Sequence, residues 1–168
     1  MDSTRINRVI LLGCAGAGKS YTARRLSQTL GTPNICLDAL WSQQGTDVDI
    51  AEFRRKLAVH HQAPRWVSDG NFAQVSFDLR LPEADLVIWL ERPRWQCLWN
   101  AIRRVFRSGE AHQRADLGKV LTFIWNFDRV NRPRIETLLK TLRPDLKVMR
   151  LHSDREIKAM ILRLKSRL

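Results

Sequence analysis

Apolar residues recur along the chain in two rhythms. Short unbroken runs mark buried strands: "RVILLG" at 8–13, "NICLD" at 34–38, "RWVSDG" at 65–70, "ADLVIWLE" at 84–91 and "DLKVMRL" at 145–151. The 84–91 run is the most apolar, which places it at the centre of the sheet. Between the runs the spacing shifts to three and four. That spacing predicts helices over 18–30, with Ala23, Leu26 and Leu30 on one face, and over 47–61, with Ile50, Phe53 and Leu57 inward. It predicts another over 94–106, with Trp95, Leu98, Trp99, Ile102 and Phe106 inward. A helical stretch to about Leu142, interrupted at Pro133, precedes the fifth strand. A closing helix starts after Ser153 or Asp154, either of which suits a cap. Strands alternating with helices predict an α/β fold, with a parallel sheet covered on both faces.

The length of 168 residues suits one domain. The polar, two-glycine break at 107–118 reads as a small helical lid insert within that domain, not as a boundary. No apolar run is long enough to span a bilayer, and the interrupted N-terminal segment does not read as a secretory signal. The expected location is cytoplasmic, without a membrane partner. Cys14, Cys36 and Cys97 are far apart and show no C-x-x-C spacing, so neither a disulfide framework nor a zinc site is expected. His60 and His61 read as a solvated helix end. Trp89, Trp95, Trp99 and Trp125 read as core, whereas Trp41, beside a polar stretch, is a candidate for stacking on an acceptor base.

Charge narrows the choice of partner. The net charge is +12, which implies polyanionic company: nucleotides, nucleic acid or an anionic surface. Of the 29 basic residues 22 are arginine, whose planar fork matches phosphate oxygens. Residues 92–134 hold ten basic side chains against three acidic ones. That imbalance fits a lid closing over polyphosphate, with Arg103, Arg107, Arg129 and Arg132 facing inward. Arg103 and Arg107 share a helix face at i,i+4.

The chemistry is most legible in "GCAGAGKS", residues 13–20, which satisfies G-x-x-x-x-G-K-[ST], the Walker A pattern. Gly13, Ala15, Gly16, Ala17 and Gly18 keep side chains away from a nest of backbone N–H groups. Lys19 reaches the β- and γ-phosphates and the Ser20 hydroxyl binds Mg²⁺. The start of the following helix, through Tyr21, aims its positive end at the same phosphates. Cys14 lies in the nest, where a thiolate is favoured, although an inert thiol is the simpler expectation. Two carboxylates end strands on the ligand side of the sheet, Asp38 and Asp69. One is a candidate Mg²⁺ partner and the other a candidate base, with the assignment open between them. The nucleotide is ATP by default, and Ser153 and Asp154 are positioned to touch its base.

These residues resemble the adenylate-kinase-like branch of P-loop proteins, which also contains shikimate kinase. More narrowly, "LDALW", "WVSDGNF", "DLRLPEADLVIWLERPRWQCLW" and "NRPRI" resemble the FlaR-like group, often labelled DNA topology modulation proteins, over most of residues 7–152. The resemblance implies a five-stranded parallel sheet, ATP with Mg²⁺, and a lid. It implies phosphate binding by Gly13, Gly16, Gly18, Lys19 and Ser20, and a role for Asp69 in organising Mg²⁺. It also implies that Asp38 meets the acceptor hydroxyl. Nucleoside monophosphate kinases follow their Asp-Gly with Phe-Pro-Arg. Here Asn71-Phe72-Ala73-Gln74 follows, which argues against AMP held in that manner. Two functions are compatible with this reading. The first is a kinase transferring the γ-phosphoryl of ATP to a small hydroxylated or nucleotide acceptor. The second is an ATP-liganded, DNA-associated regulator, for which no helix-turn-helix or other nucleic-acid motif is present.

Overall fold

A computed structural model describes residues 6–43, 49–108 and 116–165. Five parallel strands lie in the order β2-β3-β1-β4-β5. They are β1 (Arg8–Gly13), β2 (Asn34–Cys36), β3 (Trp66–Asp69), β4 (Leu86–Leu90) and β5 (Val148–Leu151). The helices flanking them are α1 (Lys19–Leu30), α2 (Leu37–Ser42), α3 (Ile50–His61), α4 (Ala73–Arg80), α5 (Arg94–Ser108), α6 (Leu117–Asn126), α7 (Arg132–Leu142) and α8 (Asp154–Lys165). A single π turn, Phe127–Asn131, joins α6 to α7.

The expected α/β class and parallel sheet are present, and the reason is compositional. Val9 to Leu12 and Leu86 to Leu90 are buried without alternation, as strands covered on both faces must be. The middle strand is nevertheless β1 and not the more apolar 84–91 run, which lies between β1 and β5. The chain leaves β1 toward the β2–β3 edge and then crosses back over β1 to reach β4. That crossover puts the carboxyl ends of β1 and β3 at a topological switch, where such sheets bind ligands.

Four local expectations need correction. The second strand stops at Cys36, and Leu37–Asp38 opens the short helix α2. Three residues suffice for an edge strand that pairs only with β3. Pro133 does not break a helix. It sits in the first turn of α7, where its missing N–H costs nothing, and the interruption is the π turn before it. The lid insert predicted at 107–118 falls mostly on residues 109–115, outside the described residues.

The third correction concerns the tryptophans. Trp89 is core, but Trp95 (70% exposed), Trp99 (57%), Trp125 (58%) and Phe106 (67%) face outward. α5 instead buries Cys97, Ala101 and Val105. Its apolar arc is wide enough to offer two inward faces. Close approach to the loop after β1 selects the face with the smaller side chains. The Arg94 guanidinium covers the Trp125 ring at 4.9 Å.

The last correction is His61, which is buried, while His60 is solvated as expected. Its Nδ1–H donates to the Leu57 carbonyl at 2.8 Å, so Nε2 accepts from the Ser68 hydroxyl at 3.1 Å. Burial and the nearby Arg80 charge favour the neutral ring, and its pKa falls to about 4. A base with a depressed folded-state pKa binds its proton more readily in the unfolded chain. Its contribution to stability is therefore complete above about pH 6.5 and is lost as pH falls toward 4. Between pH 7 and pH 5 it accounts for a loss of about 2 kcal/mol. We expect urea unfolding of His61→Gln, which cannot titrate, to lack that fraction of the wild-type acid destabilisation. An identical pH profile for the two proteins would refute the assignment.

Candidate functional site

The loop from Gly13 to Gly18 turns between β1 and α1 and is sterically confined at Gly13 and Gly16. A Cβ on Gly16, whose φ is +79°, would stand 2.2 Å from the Cys97 carbonyl oxygen. One on Gly13 would meet the Leu90 carbonyl at 2.6 Å. Two amide side chains brace this backbone. Asn71 accepts from the Gly13 N–H at 3.1 Å and donates to the Gly13 carbonyl at 2.9 Å. Asn100, on α5, donates to the Gly16 carbonyl at 2.9 Å. The Lys19 ammonium donates to the Cys14 carbonyl at 3.0 Å, across the loop. Lys19, Ser20 and Tyr21 form the first turn of α1, whose N–H groups have no intrahelical acceptor and point out of the helix end. The Tyr21 side chain itself is exposed and accepts a hydrogen bond from Arg25. Ala15 lines the adjoining cavity and Ala17 is buried beneath the loop. Cys14 is buried against Cys97, and that contact with burial pushes the Cys14 thiol up, so it is protonated and inert.

Asp69, at the end of β3, is fully buried. Neither carboxylate oxygen has a hydrogen-bond partner of normal geometry among the described residues. Burial raises its pKa, while the Ser20 hydroxyl and the Lys19 ammonium pull it back down. The buried Asp69 carboxylate and the Ser20 hydroxyl offer oxygens of the kind a hydrated divalent cation takes, beside the Lys19 ammonium.

Beneath Asp69 lies Arg80, fully buried on α4. It donates to the carbonyls of Gly70 at 3.0 Å and Asn71 at 2.5 Å, and to Ser68 Oγ at 3.3 Å. Burial draws its pKa down to about 9 and the Asp69 charge opposes that shift, so it remains a cation at neutral pH. With Ser76 donating to the Phe72 carbonyl at 2.7 Å, it over-determines the turn after β3. Phe72 there adopts φ +36°, the one positive φ among described non-glycine residues. That conformation costs on the order of 1–3 kcal/mol for a bulky side chain.

A cavity of about 440 Å³ opens beside the loop. Lys19 and Asp38 line it together with Trp41, Asn71, Phe72 and Arg134. Asp38 is exposed in the first turn of α2, so it reaches the cavity from a helix start and not from a strand end. Arg103 and Arg107 share an exposed face of α5 with Asn100 and Arg104, around a separate depression. Because Asn100 holds Gly16, that arginine face borders the loop. Arg129 is exposed on the π turn and lines neither cavity. Arg132 is drawn into an ion-pair network with Glu91, Asp128 and Glu136. Arg134 is the arginine of this region that lines the first cavity. Among described residues no cluster of His, Cys, Asp or Glu is arranged to hold a metal by itself.

No family model matches the chain, and no curated protein matches it at a significant level. Solved structures do match. The shikimate kinase of Bacteroides thetaiotaomicron superposes with a TM-score of 0.60 at 16% identity, covering 96% of this chain and 97% of that one. The shikimate kinase of Acinetobacter baumannii, solved with shikimate, gives 0.56 at 17%, covering 95% and 92%. A gluconokinase from Sinorhizobium meliloti gives 0.53 at 14%, covering 97% and 91%. The chain has the P-loop kinase fold. Identities this low establish the fold alone, and the FlaR-like resemblance is not tested by them. Among described residues no helix is long and apolar enough to cross a membrane.

The P-loop and both carboxylates are legible in the sequence, but the three side chains that brace the loop and the turn after β3 are not: nothing about Asn71, Arg80 or Asn100 in the sequence marks a bracing role. Arg134, which lines the cavity, is one arginine among nine in its segment. The Gly16 contact yields a direct test. Gly16→Ala should abolish ATP binding in calorimetric titration, because the Cys97 carbonyl cannot withdraw without moving α5. ATP affinity within threefold of wild type would show that the loop is not so confined.

Proposed function

We propose that this protein is an ATP-dependent kinase that phosphorylates a small hydroxylated or nucleotide acceptor. The observation that carries the reading is the shared cavity: Lys19 of the P-loop and the Asp38 carboxylate line one space. A phosphoryl donor and an acceptor hydroxyl can therefore meet there. The loop N–H groups and the α1 terminus hold the triphosphate, and Lys19 follows the charge on its β- and γ-oxygens. Ser20 and Asp69 are the residues that would hold Mg²⁺, which when bound neutralises charge on the bridging phosphates.

Asp38 takes the acceptor hydroxyl proton as its oxygen bonds to Pγ. The bond from Pγ to the β,γ-bridging oxygen breaks, and ADP departs with that electron pair. Exposure keeps Asp38 in exchange with solvent, which suits a group that must shed its proton each turnover. Asp69 is buried beside Ser20 and Lys19 and does not line the cavity, which favours it as the metal partner. In this reading Arg103 and Arg107, on the face bordering the P-loop, would neutralise charge on the nucleotide.

The competing reading, a DNA-associated regulator of the FlaR-like type using ATP as a ligand, draws on the net charge of +12. Charge alone gives salt-sensitive, sequence-indifferent binding. The deciding experiment is ATP consumption against a panel of nucleosides, nucleotides and hydroxylated metabolites, beside duplex binding at physiological salt. Acceptor-dependent ADP release is the expected result. Tight, sequence-dependent duplex binding with no turnover would favour the regulator.

Lys19→Ala should remove ATP binding altogether, and an unchanged titration would displace the site. Asp38→Asn should lower kcat at least about a hundredfold, the usual scale for a general base, while ATP affinity stays near wild type. Equal, small effects on both quantities would remove Asp38 from the chemistry.

A further inference from the structure

The walls of the cavity say what kind of acceptor enters it. Three rings from three separate elements line it: Trp41 of α2, Phe72 of the turn after β3, and Phe123 of α6. Trp41 and Phe72 pack at a centroid distance of 5.2 Å, tilted by 42°. Both rest on the fully buried Phe53, at 5.1 and 5.4 Å. Phe123 is braced separately by the buried Phe127, at 5.7 Å. Trp41 and Phe72 are thus held by one another and by Phe53, while Phe123 is more exposed. The Phe72 ring is held in the wall despite a left-handed backbone that a bulky residue avoids. A strained residue retained at a cavity wall is a common mark of a binding constraint.

Charge divides unevenly around the same space. Arg132 and Arg150 are taken by Glu91 and Glu136, and Arg94 faces Asp128. Arg134 lines the cavity and has no acidic partner among the described residues. Asn71, Gln74 and Asn131 also line the space and can meet polar groups at a ligand's edge, but a ring-free polyol acid would leave the three aromatic faces without a matching surface. A flat conjugated ring stacks on those faces whatever its edge pattern.

We infer that the acceptor is a flat, conjugated ring compound bearing an alcohol hydroxyl and one anionic group. Trp41, Phe72 and Phe123 receive the ring, Arg134 the anion and Asp38 the hydroxyl. This inference deepens the kinase reading and rests on it for the transfer step alone: the hydroxyl oxygen bonds to Pγ, its proton passes to Asp38, and ADP leaves. The anion is a phosphate monoester or a carboxylate. The first belongs to a nucleoside monophosphate and the second to a hydroxylated aromatic acid.

The test separates binding from turnover. The full chain is titrated calorimetrically, without ATP, with adenosine 5′-monophosphate, adenosine, 4-(hydroxymethyl)benzoate and gluconate. At least one anionic ring compound should bind tenfold or more tightly than gluconate. The monophosphate and the benzoate between them decide which anion is preferred. Trp41→Ala and Phe72→Gly should each weaken that binding tenfold or more. Glycine accepts the φ of position 72, so the second variant loses the ring without adding backbone strain, and an unchanged ATP dissociation constant checks that the fold is kept. Arg134→Gln should abolish the preference for the anionic ring compound over adenosine. Gluconate binding as tightly as the ring compounds, no binding by any of the four, or ring variants with unaltered affinity would each overturn the inference. ATP is then added. Ring compounds that bind and are not phosphorylated support the ring class and overturn the kinase reading. Phosphorylated gluconate beside inert ring compounds does the reverse.

Discussion

One constraint shapes this molecule: the backbone at Gly13 and Gly16 must lie against its neighbours with nothing between. A single added carbon at Gly13 or Gly16 would collide with a main-chain carbonyl, from Leu90 in the first case and Cys97 in the second. Close contact of this kind determines what surrounds the loop. α5 presents Cys97 and Ala101 inward and turns its tryptophans out. Asn100 and Asn71 then satisfy loop groups that would otherwise be left without partners in a tight, partly buried space.

The turn after β3 is the second half of the same device. Asn71 ties it to Gly13, so loop and turn are positioned relative to each other by hydrogen bonds and not by packing alone. Arg80 holds the turn from below through two carbonyls, and its charge lies near Asp69. A buried guanidinium is costly to desolvate, and the carbonyls of Gly70 and Asn71 with the Ser68 hydroxyl offset part of that cost. The result places an unpartnered carboxylate, a hydroxyl and an ammonium together under the loop while pressing the Phe72 ring into the cavity wall. Under the proposed kinase reading, phosphoryl transfer asks little covalent work of a protein and much positioning, which a braced loop and turn would supply.

Much of this is legible in the order of residues alone. Gly13 to Ser20 could be read as a P-loop because its mechanism needs small residues at set offsets and nothing distant. The strands at 8–13 and 66–69 were legible because burial on both faces leaves an unbroken apolar run. Asp38 and Asp69 were found by their place after such runs, although Asp38 proved to start a helix. The side chains bracing the site were harder to see. Arg80 looks like any surface arginine at the end of an amphipathic helix, and only the path of the 70–72 backbone gives its charge somewhere to go. His61 looks like a solvated partner of His60 until Ser68, from another element, meets its ring.

Local chemistry, then, was determined by the order of residues itself: an anion nest, an alternation of strands and helices, an excess of arginine. Those properties depend on neighbours within a few positions, so they are written in the chain. What tertiary structure decided was which of several equivalent groups is used. It turned Trp99 outward and Ala101 inward, paired Arg132 with acids and left Arg134 in the cavity. Selection among like residues follows largely from contacts between segments distant in sequence, as between Gly16 and Cys97 or Glu91 and Arg132, which no local pattern encodes.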